Sequence, residues 1–118
     1  MKIKAIAATT FKDAENGWSY SRSALASLAQ SAESKPVVYQ KRRIGIVESG
    51  KCEGDKVVIT ASINTTDNLL DKKLFLVPGG LTDFDTKGDI LEKCIAHQFF
   101  VTEDPSDKTL TALEIITP

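Results

Sequence analysis

Pro36 divides this chain in two. A proline disfavours helical geometry in the residue before it and has no N–H for a helix ladder. Any helix ahead of it must therefore end by Lys35. The clearest stretch with helical spacing lies just there. Ala24, Leu25, Leu28, Ala29 and Ala32 recur at three- and four-residue intervals and make a narrow apolar stripe. Ser23, Ser27, Gln30, Ser31 and Glu33 take the other face, and Ser19 or Ser21 can cap the first turn. The spacing predicts one helix over 21–32, about 18 Å long.

The rest reads as strand and turn. Residues 2–10 alternate, with Ile3, Ala5 and Ala7 on one face and Lys2, Lys4 and Ile6 on the other. A polar turn over 13–17 ends in Asn16-Gly17, and Trp18 and Tyr20 follow. Beyond Pro36, Val37, Val38 and Tyr39 form a short strand, and 44–47 another that Ser49-Gly50 stops. Gly54-Asp55 closes a hairpin into 57–63, the richest β-branched run of the sequence. Residues 66–70 suggest one helical turn and 74–77 a buried strand. One Pro, three Gly and three Asp over 78–89 predict an exposed loop. Residues 90–102 are ambiguous: Ile90, Leu91, Cys94 and Ile95 have helical spacing, whereas 98–102 looks extended. A turn at 104–107 and a last strand over 110–116 complete the chain. The expectation is one domain, 1–118, of the α+β class and mainly β: one short helix packed on a curled or barrel-like antiparallel sheet of about six or seven strands.

Composition bounds the function. A chain of 118 residues, 42% apolar and 26% charged, can bury one core and not two. Fifteen basic and 16 acidic side chains leave a net charge of −1, so no global field favours nucleic acid or anionic lipid. No apolar run is long enough for a transmembrane helix. The opening Met-Lys-Ile-Lys-Ala-Ile-Ala-Ala is too short in apolar residues for a signal-peptide core. Two cysteines, Cys52 and Cys94, give no disulfide framework and suit a cytosolic or virion protein with free thiols.

Few constellations carry chemistry. Cys94 and His97 are the one Cys/His pair close in sequence. They share a face only if the segment is helical, and no third group completes a site. Cys52, Cys94 and His97 are one ligand short of a structural zinc site. Residues 83–89 begin like a calcium loop, with Asp83, Asp85 and Gly88 at the first, third and sixth positions. Lys87 then stands at the fifth position and Cys94 at the twelfth, where oxygen ligands are required. Pro78-Gly79-Gly80 lacks phosphate-cradling spacing. No metal or other cofactor is expected. Lys41, Arg42 and Arg43, with Tyr39 before them and Lys51 and Lys56 nearby, form a basic patch able to contact phosphates or protein.

Taken in order, the segments have a cadence. A Ser-capped helix (Ser21-Arg22-Ser23-Ala24-Leu25-Ala26-Ser27-Leu28) leads into Lys35-Pro36-Val37-Val38-Tyr39. A basic stretch leads to Ile44-Gly45-Ile46-Val47, then a hairpin to Val57-Val58-Ile59-Thr60-Ala61-Ser62-Ile63. With the ending Leu113-Glu114-Ile115-Ile116-Thr117-Pro118, this resembles the tailed-phage prohead protease family, relatives of the herpesvirus assembly protease. The resemblance covers about two-thirds of the chain. It implies a histidine between the Pro-Val and Ile-Gly strands, where this chain has Gln40-Lys41-Arg42-Arg43. It also implies a nucleophilic serine in the second half, yet there is no serine between positions 63 and 105. Losing either partner removes most of the rate of such a mechanism. The resemblance therefore implies a catalytically degenerate member: a non-enzymatic phage or prophage structural protein, in the virion or the host cytoplasm. Its partners would be further copies of itself or other capsid or virion proteins. Contacts are expected at sheet edges, at Lys41, Arg42 and Arg43, and at Gly79, Gly80, Asp83 and Asp85 in the 78–89 segment. Two alternatives stand beside it. One is a small nucleic-acid-binding β-barrel, with Tyr39, Phe75, Phe99 and Phe100 stacking bases; the other is a hydrolase using Cys94 and His97. In the first reading Ile95, Phe99 and Val101 belong to the core and His97 is paired with no nucleophile.

Overall fold

A computed structural model describes residues 1–10, 18–65, 69 and 71–117. Strand β1 (Lys2–Thr9) buries Ile3, Ala5 and Ala7 and exposes Lys2 and Lys4, as its alternation requires. A bulge between Ile6 and Ala8 then breaks the period, so Ala8 and Thr9 are buried as well. After the two-residue strand β2 (Ser19–Tyr20), helix α1 (Arg22–Ser31) begins at Ser21, whose hydroxyl accepts from the Ala24 N–H at 3.1 Å. The helix buries Ala24, Leu25, Leu28 and Ala29.

The remaining elements are β3 (Pro36–Tyr39), β4 (Arg42–Glu53), β5 (Lys56–Ile63), β6 (Phe75–Gly79), β7 (Thr82–Lys87), β8 (Ile90–Ile95), β9 (Gln98–Thr102) and β10 (Glu114–Thr117). Seven strands form one sheet in the order β10-β1-β5-β4-β3-β9-β6, curled into a half-barrel, and a smaller sheet has the order β2-β8-β7. The class is α+β, mainly β. Helix α1 packs on β4, β5 and β8 and so joins the two sheets through one core.

Several expectations need correction. The sheets are mixed, because β3 pairs parallel with β9 and β2 parallel with β8. Parallel neighbours need a long crossover, and hairpin signals in a sequence do not report them. Ser49-Gly50 stops nothing: β4 runs through it with a bulge between Val47 and Ser49. Gly50 is where the helix crosses the strand, for a Cβ there would lie 2.6 Å from the Ala29 carbonyl oxygen. The 78–89 segment is no loop. Pro78 sits in edge strand β6, where its missing N–H interrupts no ladder on the open side. Residues 90–102 resolve into β8 and β9. The last strand starts only at Glu114; before it, Leu113 N–H donates to the Leu74 carbonyl at 2.8 Å and Leu110 is buried. The turn over 13–17, and positions 66–68 and 70 of the expected helical turn, lie outside the described residues.

Both two-residue hairpins of the main sheet have left-handed turn residues. Gly54 (φ +63°) fits its turn freely. Gln40 and Lys41, with φ of 51° and 65°, occupy the two central positions between paired Tyr39 and Arg42. Non-glycine residues are strained there, and Asn-Gly is the favoured pair. The double substitution Gln40→Asn and Lys41→Gly is expected to raise stability by about 1 kcal/mol in urea unfolding.

Candidate functional site

Strands β7 and β8 form a hairpin whose two-residue turn, Gly88-Asp89, uses the positive φ of Gly88 (+64°). Strand β2 lies along the other edge of β8, tied by Ser19 N–H to the Asp89 carbonyl at 3.1 Å and Ser21 N–H to the Leu91 carbonyl at 2.9 Å. The inner face of β8 buries Leu91 and Cys94 against the core. Every residue of β7 is exposed. Trp18 and Phe84 stack with ring centroids 6.4 Å apart, yet they remain 42% and 52% exposed. With Ile90 at 38%, three exposed large hydrophobics gather on this one small sheet; among the described residues only Ile116 is exposed elsewhere. Acidic residues flank Phe84 in the strand. Asp83, in the left-handed region (φ 57°), and Asp85, opposite Lys93 in the ladder, are both exposed.

Of the expected contact residues in 78–89, Gly80, Asp83 and Asp85 are on the surface and Gly79 is not. Gly79 is buried beneath the Phe100 ring, where a Cβ would meet Phe100 Cε2 at 2.1 Å. It gives β6 a close approach to β9 and offers a partner nothing. The acids of the calcium-like stretch are spread along a strand, which cannot wrap them around an ion. Among the described residues no cluster of three or more His, Cys, Asp or Glu could hold a metal.

Cys94 and His97 part company. Cys94 is fully buried, and burial pushes its thiol from the ordinary 9.0 up to about 11. Such a thiol is almost wholly protonated at neutral pH and a poor nucleophile. Because the native state favours the neutral thiol, its contribution to stability is full below pH 9 and is lost as pH rises through about 11. In the folded protein exposed Cys52 should react with a thiol reagent at once and Cys94 only on unfolding. Equal labelling rates at pH 7 would contradict this burial.

His97 is exposed, and its Nε2 lies 2.6 Å from the Thr82 Oγ1. Thr82 is thus a hydroxyl partner of His97 that the spacing of serines and cysteines does not reveal. Thr82 faces Ile95 in the ladder, and His97 N–H donates to the Gly79 carbonyl at 3.1 Å. These bonds tie the first residue of β7 to the β8–β9 connection.

The basic patch lies far from this sheet. The parallel pairing Val37↔Phe99 brings the β3–β4 turn level with Thr102, and Tyr39, Gln40 and Thr102 line one hollow. His97 precedes the opposite end of β9, so patch and small sheet are separated by roughly 16 Å along the strands. Lys41, Arg42 and Arg43 are all exposed there. The rings proposed to stack bases are not: Phe99 is buried, and Tyr39, Phe75 and Phe100 are only partly accessible.

A hollow of about 400 Å3 opens where β1 and β6 approach without pairing. Ala7, Ala8, Val77, Pro78 and Phe100 make its floor, and the 104–107 segment closes one side. Thr9 Oγ1 donates to Asp107 Oδ2 at 2.6 Å and holds that segment across the seam.

No protein-family model, curated protein or solved structure matches this chain.

Proposed function

We propose that this chain is a non-enzymatic assembly protein, a tailed-phage structural component such as a head-assembly or decoration protein, on a scaffold of the prohead-protease type. The class comes from the resemblance described above, which is analogy at the level of fold. The observation that carries the binding role is the stacked, exposed Trp18–Phe84 pair, with exposed Ile90 on the same small sheet, whose outer strand is wholly exposed. Single exposed apolar residues are ordinary, whereas clustered ones with a polar rim suit a protein partner. The family's histidine interval is here a hairpin tip, Gln40 to Arg43, and Cys94 is too deeply buried to act. The partners are capsid or other virion proteins and further copies of this chain, met in the virion or the host cytoplasm. Retention of purified capsid, portal or scaffold protein by the immobilised chain tests this reading. A chain that retains none of them and does not associate with itself would overturn it.

A second reading rests on the contact between Thr82 and His97, since a hydroxyl within reach of an imidazole is what nucleophilic hydrolysis requires. Labelling of Thr82 by a fluorophosphonate, abolished in His97→Ala, would favour it.

A further inference from the structure

The small sheet and the β3–β4 turn are opposite in charge as well as in position. Over 82–93, the two strands that carry Phe84 and Ile90 and the turn between them, four acids (Asp83, Asp85, Asp89 and Glu92) stand against two lysines, Lys87 and Lys93. Over 36–47 there is no acid at all, Glu103 and Asp104 in the hollow beside Tyr39 and Gln40 are already paired with Lys72 and Lys108, and Lys41 and Arg43 are exposed at the tip. Parallel pairing of β3 with β9 puts the two surfaces at opposite ends of β9, so one molecule cannot satisfy both on itself.

We propose that the partner of the small sheet is the β3–β4 turn of a second copy of this chain, giving head-to-tail self-association. Lys41 and Arg43 of one copy would lie against Asp83 and Asp85 of the next, and their cationic groups over the faces of Trp18 and Phe84. Edge-to-edge pairing of two β7 strands is a poorer solution. Strand β7 carries register shifts on both sides of Asp85 and an acid at Asp83 in a left-handed conformation, devices that blunt a sheet edge. A contact between two different surfaces leaves each copy with one of each unused, so it propagates into a ring or a filament. The small sheet and one hairpin tip bury less than a standard interface, so each contact is weak and gains strength through repetition.

This inference rests on the assembly reading, and its test separates the two. The mass of the full chain is followed by light scattering over rising concentration, at about 50 mM and about 500 mM salt. Wild type should associate at low salt and dissociate at high salt. The double variants Asp83→Lys with Asp85→Lys, and Lys41→Glu with Arg43→Glu, should each stay monomeric; the second should keep the wild-type thermal transition, and the first should lower it, since a lysine at position 85 would then face Lys93. An equimolar mixture should associate again, because each reversed surface then meets an opposite charge. Phe84→Ser keeps every charge and should weaken association by about tenfold, even if the lysine pair disturbs β7. A strictly monomeric wild type, association by the Lys41/Arg43 variant alone, or a mixture that stays monomeric would overturn the head-to-tail contact. Retention of a capsid-type protein by that same monomeric chain would leave the assembly reading standing.

Discussion

Phe99→Ala is expected to cost about 3–5 kcal/mol, the largest loss from truncating any side chain among the described residues. Phe99 is 1% exposed and sits in β9, between β3 and β6 at Val37 and Pro78. It is the largest fully buried side chain among the described residues. Removing the ring opens a cavity that rigid ladders on both sides cannot close. Urea unfolding followed by far-ultraviolet circular dichroism measures the change. A loss below about 1 kcal/mol would mean that the ring is not in the core.

Gly50→Val is expected to destabilise by about 1–3 kcal/mol or more, from overpacking rather than from a cavity. A Cβ at Gly50 would lie 2.6 Å from the Ala29 carbonyl oxygen and 2.9 Å from the Ala32 Cβ, so α1 would have to lift off β4. That movement would also loosen β8, which packs on the same helix. The same measurement applies, with Gly54→Ala as a comparison, since nothing lies within 4 Å of a Cβ there. Gly54→Ala has its own strain, because Gly54 is left-handed at φ +63°. The two glycines therefore differ in kind. Gly54 supplies a backbone conformation, and Gly50 supplies space.

That difference explains much of what the sequence did and did not disclose. The helix was legible because its stripe, its serine cap and Pro36 agree. The β4–β5 hairpin was legible because Gly54-Asp55 stands between β-branched runs. Gly50 misled because a glycine needed for close approach looks, in one dimension, like a glycine that ends a strand. Strand β7 was invisible for another reason: all six of its residues are exposed, so Thr-Asp-Phe-Asp-Thr-Lys carries no apolar alternation. Parallel pairing of β3 with β9 joins segments some sixty residues apart in the chain, and no local pattern encodes it.

The candidate surface was legible in part. Asp83, Asp85 and Gly80 were marked as exposed, and they are. Gly79 was marked with them on composition, although the Phe100 ring covers it. Trp18 and Phe84 were missed as a pair because they lie 66 positions apart and meet only through β8. A single signal pointed to them: both are large aromatics in polar, turn-rich surroundings. The contact of Thr82 with His97 joins positions 15 residues apart, and no local spacing marks it.

In the proposed assembly role, the Trp18–Phe84 surface holds this chain to its protein partners. The most direct measurement compares wild type with Phe84→Ser in binding to a capsid-type partner identified by retention, with thermal unfolding recorded for both. Phe84 is 52% exposed, so its loss should leave the unfolding transition within a degree or two of wild type. Binding should weaken by about tenfold or more, as for an aromatic anchor at an interface. Equal binding by wild type and Phe84→Ser, with both proteins folded, would contradict the claim.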